Sequence, residues 1–138
     1  MIKESVSIAI FDENRKNIIA VQRPGDDEDL PDAWGLPASS LREGESFEDA
    51  VIRTGIEKLG VQLLPIGELE EGQVERTSYT LMMKLYEAKI AQGTCTVPQK
   101  VEGITQYQQW KWAGAECFMP AAKLGSLCCR LYLKYLED

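Results

Sequence analysis

The feature that most constrains the fold is residues 34–61, WGLPASSLREGESFEDAVIRTGIEKLGV, which begin as a turn-forming loop and end at a glycine stop. Ser46 is a good helix N-cap, and Asp49 three residues later completes a capping-box pattern. Gly60 ends the pattern in the way expected of a glycine C-cap. The stretch therefore predicts a helix of about four turns that starts near Phe47.

The two faces of this helix follow from a rotation of about 100° per residue. Arg53 and Glu57 fall on the outward half, and Thr54 and Lys58 lie along its border. We expect core on the inward half and any functional site on the border and outward half. The residues predicted to face inward are Phe47, Val51, Ile52, Gly55, Ile56 and Leu59.

The rest of the chain predicts strands with several hairpins, which favours a mixed sheet with helices packed on it over a purely parallel fold. Residues 68–72 are predicted as a loop, and residues 92–105 as a long connection that could lie over a pocket. Residues 120–135 predict one amphipathic helix that begins at Pro120. The predicted strands are residues 5–11, 17–23, 61–66, 76–90 and 107–113.

Length and charge limit the class of protein. A chain of 138 residues fits a single domain spanning residues 1–138. A net charge of −7 argues against binding to nucleic acid or to an anionic membrane. The N-terminus lacks the apolar region of a signal peptide, so we expect a cytoplasmic location.

The absence of histidine restricts the chemistry. It removes serine–histidine and cysteine–histidine nucleophiles, and the four cysteines form no CxxC pair, which argues against a zinc site. Cys128 and Cys129 lie in an apolar helical pattern. We interpret them as buried thiols rather than as a redox pair.

Residues 34–61 resemble the Nudix box. The family pattern is a glycine, five residues, a glutamate, seven residues, then Arg-Glu-apolar-x-Glu-Glu-x-Gly-apolar. Ser39 stands where the first glycine belongs, and the preceding WGLP is similar to the usual approach to the box. The resemblance implies an α/β (α+β) fold, a Nudix-like α/β/α sandwich with a mixed sheet. The matching positions are Glu45, Arg53, Glu57, Gly60 and Val61.

The resemblance also implies a reaction. Nudix proteins hydrolyse a nucleoside diphosphate linked to another group, with water attacking phosphorus while Mg²⁺ or Mn²⁺ neutralises the phosphates. Glu57, as a weak ligand, and Glu102, from the long connection, are the predicted metal ligands. The predicted catalytic residues are Glu57, Arg53 and Glu45, and the predicted substrate-binding residues are Lys58, Arg23 and Trp34.

Three positions besides Ser39 depart from the family pattern. Thr54 and Lys58 replace glutamates, and Gly55 replaces a bulky apolar residue. Two like charges roughly 4 Å apart repel by about 4 kcal/mol at an effective dielectric constant of about 20. We therefore expect weak or absent Mg²⁺ binding at Glu57. We expect the Lys58 ammonium to stand where a metal would and, with Arg53 or Arg23, to contact the phosphates directly.

Several of these residues have structural alternatives. Arg53 and Glu57 are four residues apart and could form a surface helix pair. Glu45 could brace the loop against the helix rather than bind a metal. Candidate replacement carboxylates are Glu43, Glu48 and Asp49.

Three functional interpretations follow. The first is a Nudix-type hydrolase with a divergent box that acts on a pyrophosphate-linked nucleoside. The second is a catalytically impaired binding or sensor module for a phosphate-containing ligand. The third is a structural subunit that forms a homodimer. The expected partner is a small, nucleotide-like phosphate compound, with no nucleic acid and no membrane.

Overall fold

The computed structural model describes residues 1–138, in which the strands form three sheets. A four-stranded sheet has the order β4-β1-β6-β5, with β1 parallel to β6 and the other pairs antiparallel. A three-stranded antiparallel sheet has the order β3-β2-β9, and β7 pairs with β8. The strands are β1 (Ile2–Ile10), β2 (Ile18–Gln22), β3 (Trp34–Gly35), β4 (Ala38–Ser40), β5 (Gln62–Glu75), β6 (Thr80–Gln92), β7 (Lys100–Val101), β8 (Ile104–Thr105) and β9 (Gln109–Ala113).

Three α-helices accompany the sheets, and none is long and apolar enough to cross a membrane. The first helix continues into a π-helical turn, Gly55–Leu59. A 3₁₀ turn, Ala115–Phe118, precedes the second. The helices are α1 (Phe47–Thr54), α2 (Met119–Lys123) and α3 (Leu127–Glu137).

Alternation along β1 separates two hydrophobic cores, since successive side chains of a strand point to opposite faces. Val6 and Ile8 belong to the core under α1, where they join Val51. Ala9 belongs to the core under α3, together with Tyr132. Helices on both faces of a mixed sheet confirm the predicted α/β/α sandwich.

The predicted boundary between β5 and β6 is wrong. The loop expected at residues 68–72 is part of β5, and the strand expected from residue 76 begins at Thr80. β5 stays paired with β6 through Gly67 and Gly72, and the pairing register shifts at irregular positions along β5. The hairpin turn lies at residues 76–79, where the Arg76 N–H donates to the Tyr79 carbonyl at 2.7 Å.

The single C-terminal helix predicted over residues 120–135 is also wrong. Gly125 has a φ of +104°, a conformation that favours glycine, and it separates α2 from α3. Ser126 then caps α3, and its hydroxyl accepts from the Cys129 N–H at 3.4 Å. Cys128 and Cys129 lie buried in α3 with no disulfide between them, as the apolar helical pattern predicted for their burial.

The predicted inward face of α1 needs one correction. Thr54 is fully buried, whereas Ile56 is 57% exposed. The Gly55 carbonyl accepts from the Gly60 N–H, five residues on, so the turn is wider than an α-turn and places Ile56 outside. A Cβ on Gly55 would lie 2.6 Å from Leu63 Cγ, so the glycine lets β5 pack against this turn.

Candidate functional site

A cleft of about 550 Å³ opens between the two larger sheets. Ser5 of β1 and Met83 of β6 lie on one side, and Val21 of β2 lies on the other. The loop after β2 and residues 104–107 form walls, so the long connection does reach the cleft. Lys58 enters from the π-helical turn. This volume lies within the range of about 300–1,000 Å³ of small-molecule sites.

Lys58 is fixed at one wall of the cleft by two contacts. Its Nζ donates to the Ala38 carbonyl at 2.6 Å and lies 5.6 Å from the centre of the Tyr107 ring. The Tyr107 hydroxyl accepts from the Ala38 N–H at 3.0 Å and donates to the Ala38 carbonyl at 3.3 Å. An ammonium has three N–H donors, so two are left for a ligand.

Arg23 is the second cationic side chain in the cleft. Its Nη1 lies 3.3 Å from Asp27 Oδ2, and the same carboxylate accepts from two backbone N–H groups of its own loop. Burial acts to lower the pKa of Arg23, but the nearby Cys128 sulfur and the Asp27 carboxylate outweigh it, so the pKa is raised. Arg23 therefore remains a cation.

Arg53 joins three parts of the loop and helix outside the cleft. Its Nε and Nη2 donate to Glu45 at 2.8 and 2.9 Å, and its Nη1 donates to Glu57 at 3.2 Å. Its Nη2 also donates to the Ser40 carbonyl at 2.8 Å. The hydrogen bond from Arg53 lowers the pKa of Glu45 to about 2, and the same bond raises the pKa of Arg53.

Thr54 fills the buried position between this ionic cluster and the cleft. Its hydroxyl donates to the Ala50 carbonyl at 2.6 Å and shares a 2.7 Å hydrogen bond with the Ser39 hydroxyl. Ser39 and Thr54, which both depart from the family pattern, are thus small polar residues whose hydroxyl groups hydrogen-bond to each other. Thr54 is neutral, whereas the family pattern has a charged glutamate at this position.

The Nudix family generally uses divalent cations, so the donor set must be tested against one. Glu57 is shared between Arg53 and Arg42, whose Nη2 lies 3.1 Å from Glu57 Oε2. Lys58 places an ammonium beside the Ala38 carbonyl instead of a carboxylate. No three acidic, histidine or cysteine side chains converge on one point, and Glu45 and Glu57, the carboxylates nearest to the box helix, already face arginine side chains. These residues do not fit Mg²⁺ or Mn²⁺.

The structure thus brings Lys58 and Arg23 into the cleft and keeps the other predicted site residues outside it. Trp34 packs under Lys111, whose Nζ lies 4.3 Å from the ring centre. Glu102 is an exposed residue in the turn between β7 and β8. Glu45, Arg53 and Glu57 form the ionic cluster described above.

The sequence analysis missed two residues. Arg42 was identifiable, because it lies inside the box and adds a cation near Glu57. Tyr107 carried no local signal, since its contact with Ala38 joins positions 69 residues apart.

The comparisons with known proteins agree with this architecture. The family model for the NUDIX domain matches residues 1–124. No curated protein matches the chain. A NUDIX hydrolase from Nitrosomonas europaea is similar in fold, with a TM-score of 0.74, 16% identity and coverage of 100% of this chain and 88% of that one.

Two further solved structures are similar in fold. The MutT protein from Methanosarcina mazei Go1 has a TM-score of 0.70 at 16% identity, covering 99% of this chain and 91% of that one. An ADP-ribose pyrophosphatase from Streptococcus suis has a TM-score of 0.62 at 14% identity, covering 83% and 75%. Identities this low show the fold alone, but the family model spans most of the chain. The chain therefore belongs to the Nudix family.

Proposed function

We propose that this protein binds a nucleotide-like pyrophosphate compound in the cleft and contacts its phosphates directly with Lys58 and Arg23. The observation that carries the proposal is the Lys58 ammonium, which lies in the cleft where the family pattern has a glutamate. Lysine and arginine both bind phosphate oxygens through charge-assisted hydrogen bonds. The two side chains supply the positive charge that a metal supplies elsewhere in the family.

The contacts of the acidic residues support binding over metal-driven hydrolysis. Phosphoryl transfer depends mostly on positioning and on neutralising charge. Glu57 already accepts from Arg53 and Arg42, and Glu45 accepts from Arg53. A metal bound by either carboxylate would lie beside these guanidinium groups, whose positive charge repels it.

Nudix-type pyrophosphohydrolysis is the second candidate function. It is favoured by the spacing of Glu45, Arg53 and Glu57, which matches the family box. The similar protein from Streptococcus suis is named an ADP-ribose pyrophosphatase, which makes ADP-ribose a suitable first probe for both candidates.

The test is calorimetric titration of ADP-ribose in the presence of EDTA. We expect saturable binding by the wild type and at least about tenfold weaker binding by Lys58→Met, which keeps an unbranched side chain of similar size without its charge. Lys16→Met, at an exposed lysine outside the cleft, should bind as the wild type does.

Equal affinity of wild type and Lys58→Met would overturn the proposal. A parallel assay measures product release from ADP-ribose with Mg²⁺ or Mn²⁺. Turnover that is abolished by Glu57→Gln would favour the second candidate.

A further inference from the structure

We propose that Tyr107 is the positioning residue for Lys58, and that its hydroxyl group acts on the Lys58 ammonium through the backbone of Ala38. This inference rests on the proposed function, because it says how the phosphate-binding lysine is held in the cleft. Tyr107 lies outside residues 34–61, so the box that carries Lys58 depends on a distant part of the chain.

The backbone of Ala38 lies where the edge of the four-stranded sheet meets the cleft. β4 is an edge strand of this sheet and pairs only with β1, with Ala38 opposite Ser7. The Ile8 N–H donates to the Pro37 carbonyl at 2.9 Å, one residue earlier in the chain. Backbone groups of successive residues in an antiparallel pair point alternately toward and away from the partner strand. The N–H and C=O of Ala38 therefore point away from β1.

The Tyr107 hydroxyl satisfies both of these outward-pointing groups. It accepts from the Ala38 N–H at 3.0 Å and donates to the Ala38 carbonyl at 3.3 Å. A carbonyl oxygen has two lone pairs, so the same oxygen can also accept from Lys58 Nζ at 2.6 Å. Tyr107 is itself buried, which holds its hydroxyl in place. The hydroxyl thus fixes the oxygen to which the ammonium is tethered.

The Tyr107 ring makes a second, direct contact with the ammonium. Lys58 Nζ lies 5.6 Å from the ring centre, within the range of about 6 Å for a cation–π attraction. A free lysine side chain samples many rotamers, and these two contacts restrict them. An ammonium that is positioned before binding loses less conformational entropy when a phosphate arrives. Tyr107 therefore raises affinity through Lys58.

The first measurement is the rate at which acetic anhydride acetylates Lys58 without any ligand, followed by peptide mass spectrometry. Tyr107→Phe removes the hydroxyl and keeps the ring. We expect acetylation of Lys58 to be at least about threefold faster in this variant, because the Ala38 carbonyl holds the side chain less firmly. The exposed Lys16 should be acetylated at the same rate in both proteins.

The second measurement is calorimetric titration of ADP-ribose in the presence of EDTA. Tyr107→Phe should bind at least about threefold more weakly than the wild type. Adding Tyr107→Phe to Lys58→Met should change the affinity by less than about 1.5-fold, because the group that Tyr107 positions is already gone. A purely structural role of Tyr107 would give the same loss in both backgrounds.

Tyr86→Phe is the matched control. Tyr86 and Tyr107 are both 7% exposed, and the Tyr86 hydroxyl donates to Glu48 at 3.0 Å, outside the cleft. This variant removes an equally buried, hydrogen-bonded hydroxyl. It should leave both the acetylation rate of Lys58 and the affinity for ADP-ribose unchanged.

Three results would overturn the inference. They are an unchanged acetylation rate of Lys58 in Tyr107→Phe, an equal loss of affinity with and without Lys58, and the same changes in Tyr86→Phe. If the wild type does not bind ADP-ribose, the proposed function fails, whereas the acetylation rates still decide whether Tyr107 positions Lys58.

Discussion

Two fully buried hydroxyl groups differ in what they contact. The Ser7 hydroxyl has no hydrogen-bond partner, whereas the Thr54 hydroxyl bonds to Ala50 and Ser39. An unsatisfied buried hydroxyl costs about 1–3 kcal/mol. Ser7→Ala should therefore raise the free energy of unfolding by about 1 kcal/mol, and Thr54→Val should lower it by a similar amount. Urea denaturation of the two variants measures both changes.

The two variants serve as controls for each other, because each removes one buried hydroxyl. Loss of stability in Ser7→Ala would show that its hydroxyl does have a partner in solution. A stabilised Thr54→Val would show that its two hydrogen bonds contribute nothing net.

The ion pair between Glu45 and Arg53 makes stability depend on pH. The pKa of Glu45 is lowered to about 2, so the carboxylate contributes stability above its ordinary pKa of 4.5. That contribution is lost as the pH falls from 4.5 toward 2. We expect wild type to be more stable than Glu45→Gln at pH 7, with the difference vanishing near pH 2. Urea midpoints at several pH values measure it.

Glu43→Gln is the control for this pH dependence. Glu43 is exposed and forms no ion pair, so its replacement should change stability little at any pH. A constant difference between wild type and Glu45→Gln from pH 7 to pH 2 would contradict the role given to Arg53.

The π-helical turn depends on the close approach of β5. Alanine is favoured over glycine in a helix by up to about 1 kcal/mol, but a Cβ on Gly55 would lie 2.6 Å from Leu63 Cγ. Overpacking typically costs about 1–3 kcal/mol. We expect Gly55→Ala to lower the free energy of unfolding by about 1 kcal/mol or more. Gly67→Ala meets nothing within 4 Å and should change it by less than about 0.5 kcal/mol.

A double-mutant cycle with Leu63→Ala identifies the cause. If Leu63 is the obstacle, the two substitutions together should cost less than the sum of their separate effects, by about 0.5–3 kcal/mol. Strict additivity would assign the loss to the backbone of the turn.

The sequence predicted the central loop, the helix start at Phe47, the glycine stop and both helical layers, because these depend on local caps and periodicity. It missed the break at Gly125, because the apolar spacing continues across it. The sequence also failed to predict the extension of β5. The second half of this strand is polar, and its structure depends on pairing with β6. The site was predictable to the extent that Lys58 breaks a family pattern. The role of Tyr107 was not predictable, because its contact with Ala38 joins two parts of the chain that are far apart in sequence.

At the scale of the whole molecule, a net charge of −7 attracts cations without creating a site for them. We expect Mg²⁺ to cause no saturable shift in the melting temperature of the wild type. Lys58→Glu should produce a saturable rise, because it removes the tethered ammonium and adds a carboxylate beside Glu57. Thermal melts over a Mg²⁺ titration measure the shift.

Lys16→Glu makes the same change in net charge at an exposed site outside the cleft. It should show no saturable rise. A wild type that binds Mg²⁺ as tightly as Lys58→Glu would mean that other carboxylates already form the metal site.

The ionic cluster around Arg53 has a consequence for how such chains are recognised. Arg53 hydrogen-bonds to Glu45, Glu57 and Ser40, which lie 8, 4 and 13 residues away in sequence, and these bonds join the loop to the helix. Glu45, Arg53 and Glu57 would be needed for this connection in a chain that performs no reaction. The family spacing is thus kept on the side of the outer ion pairs, whereas the departures from the family pattern at positions 54 and 58 contact Ser39 and Ala38, which line the cleft. A motif search that scores only the outer set detects ancestry and leaves activity to be measured.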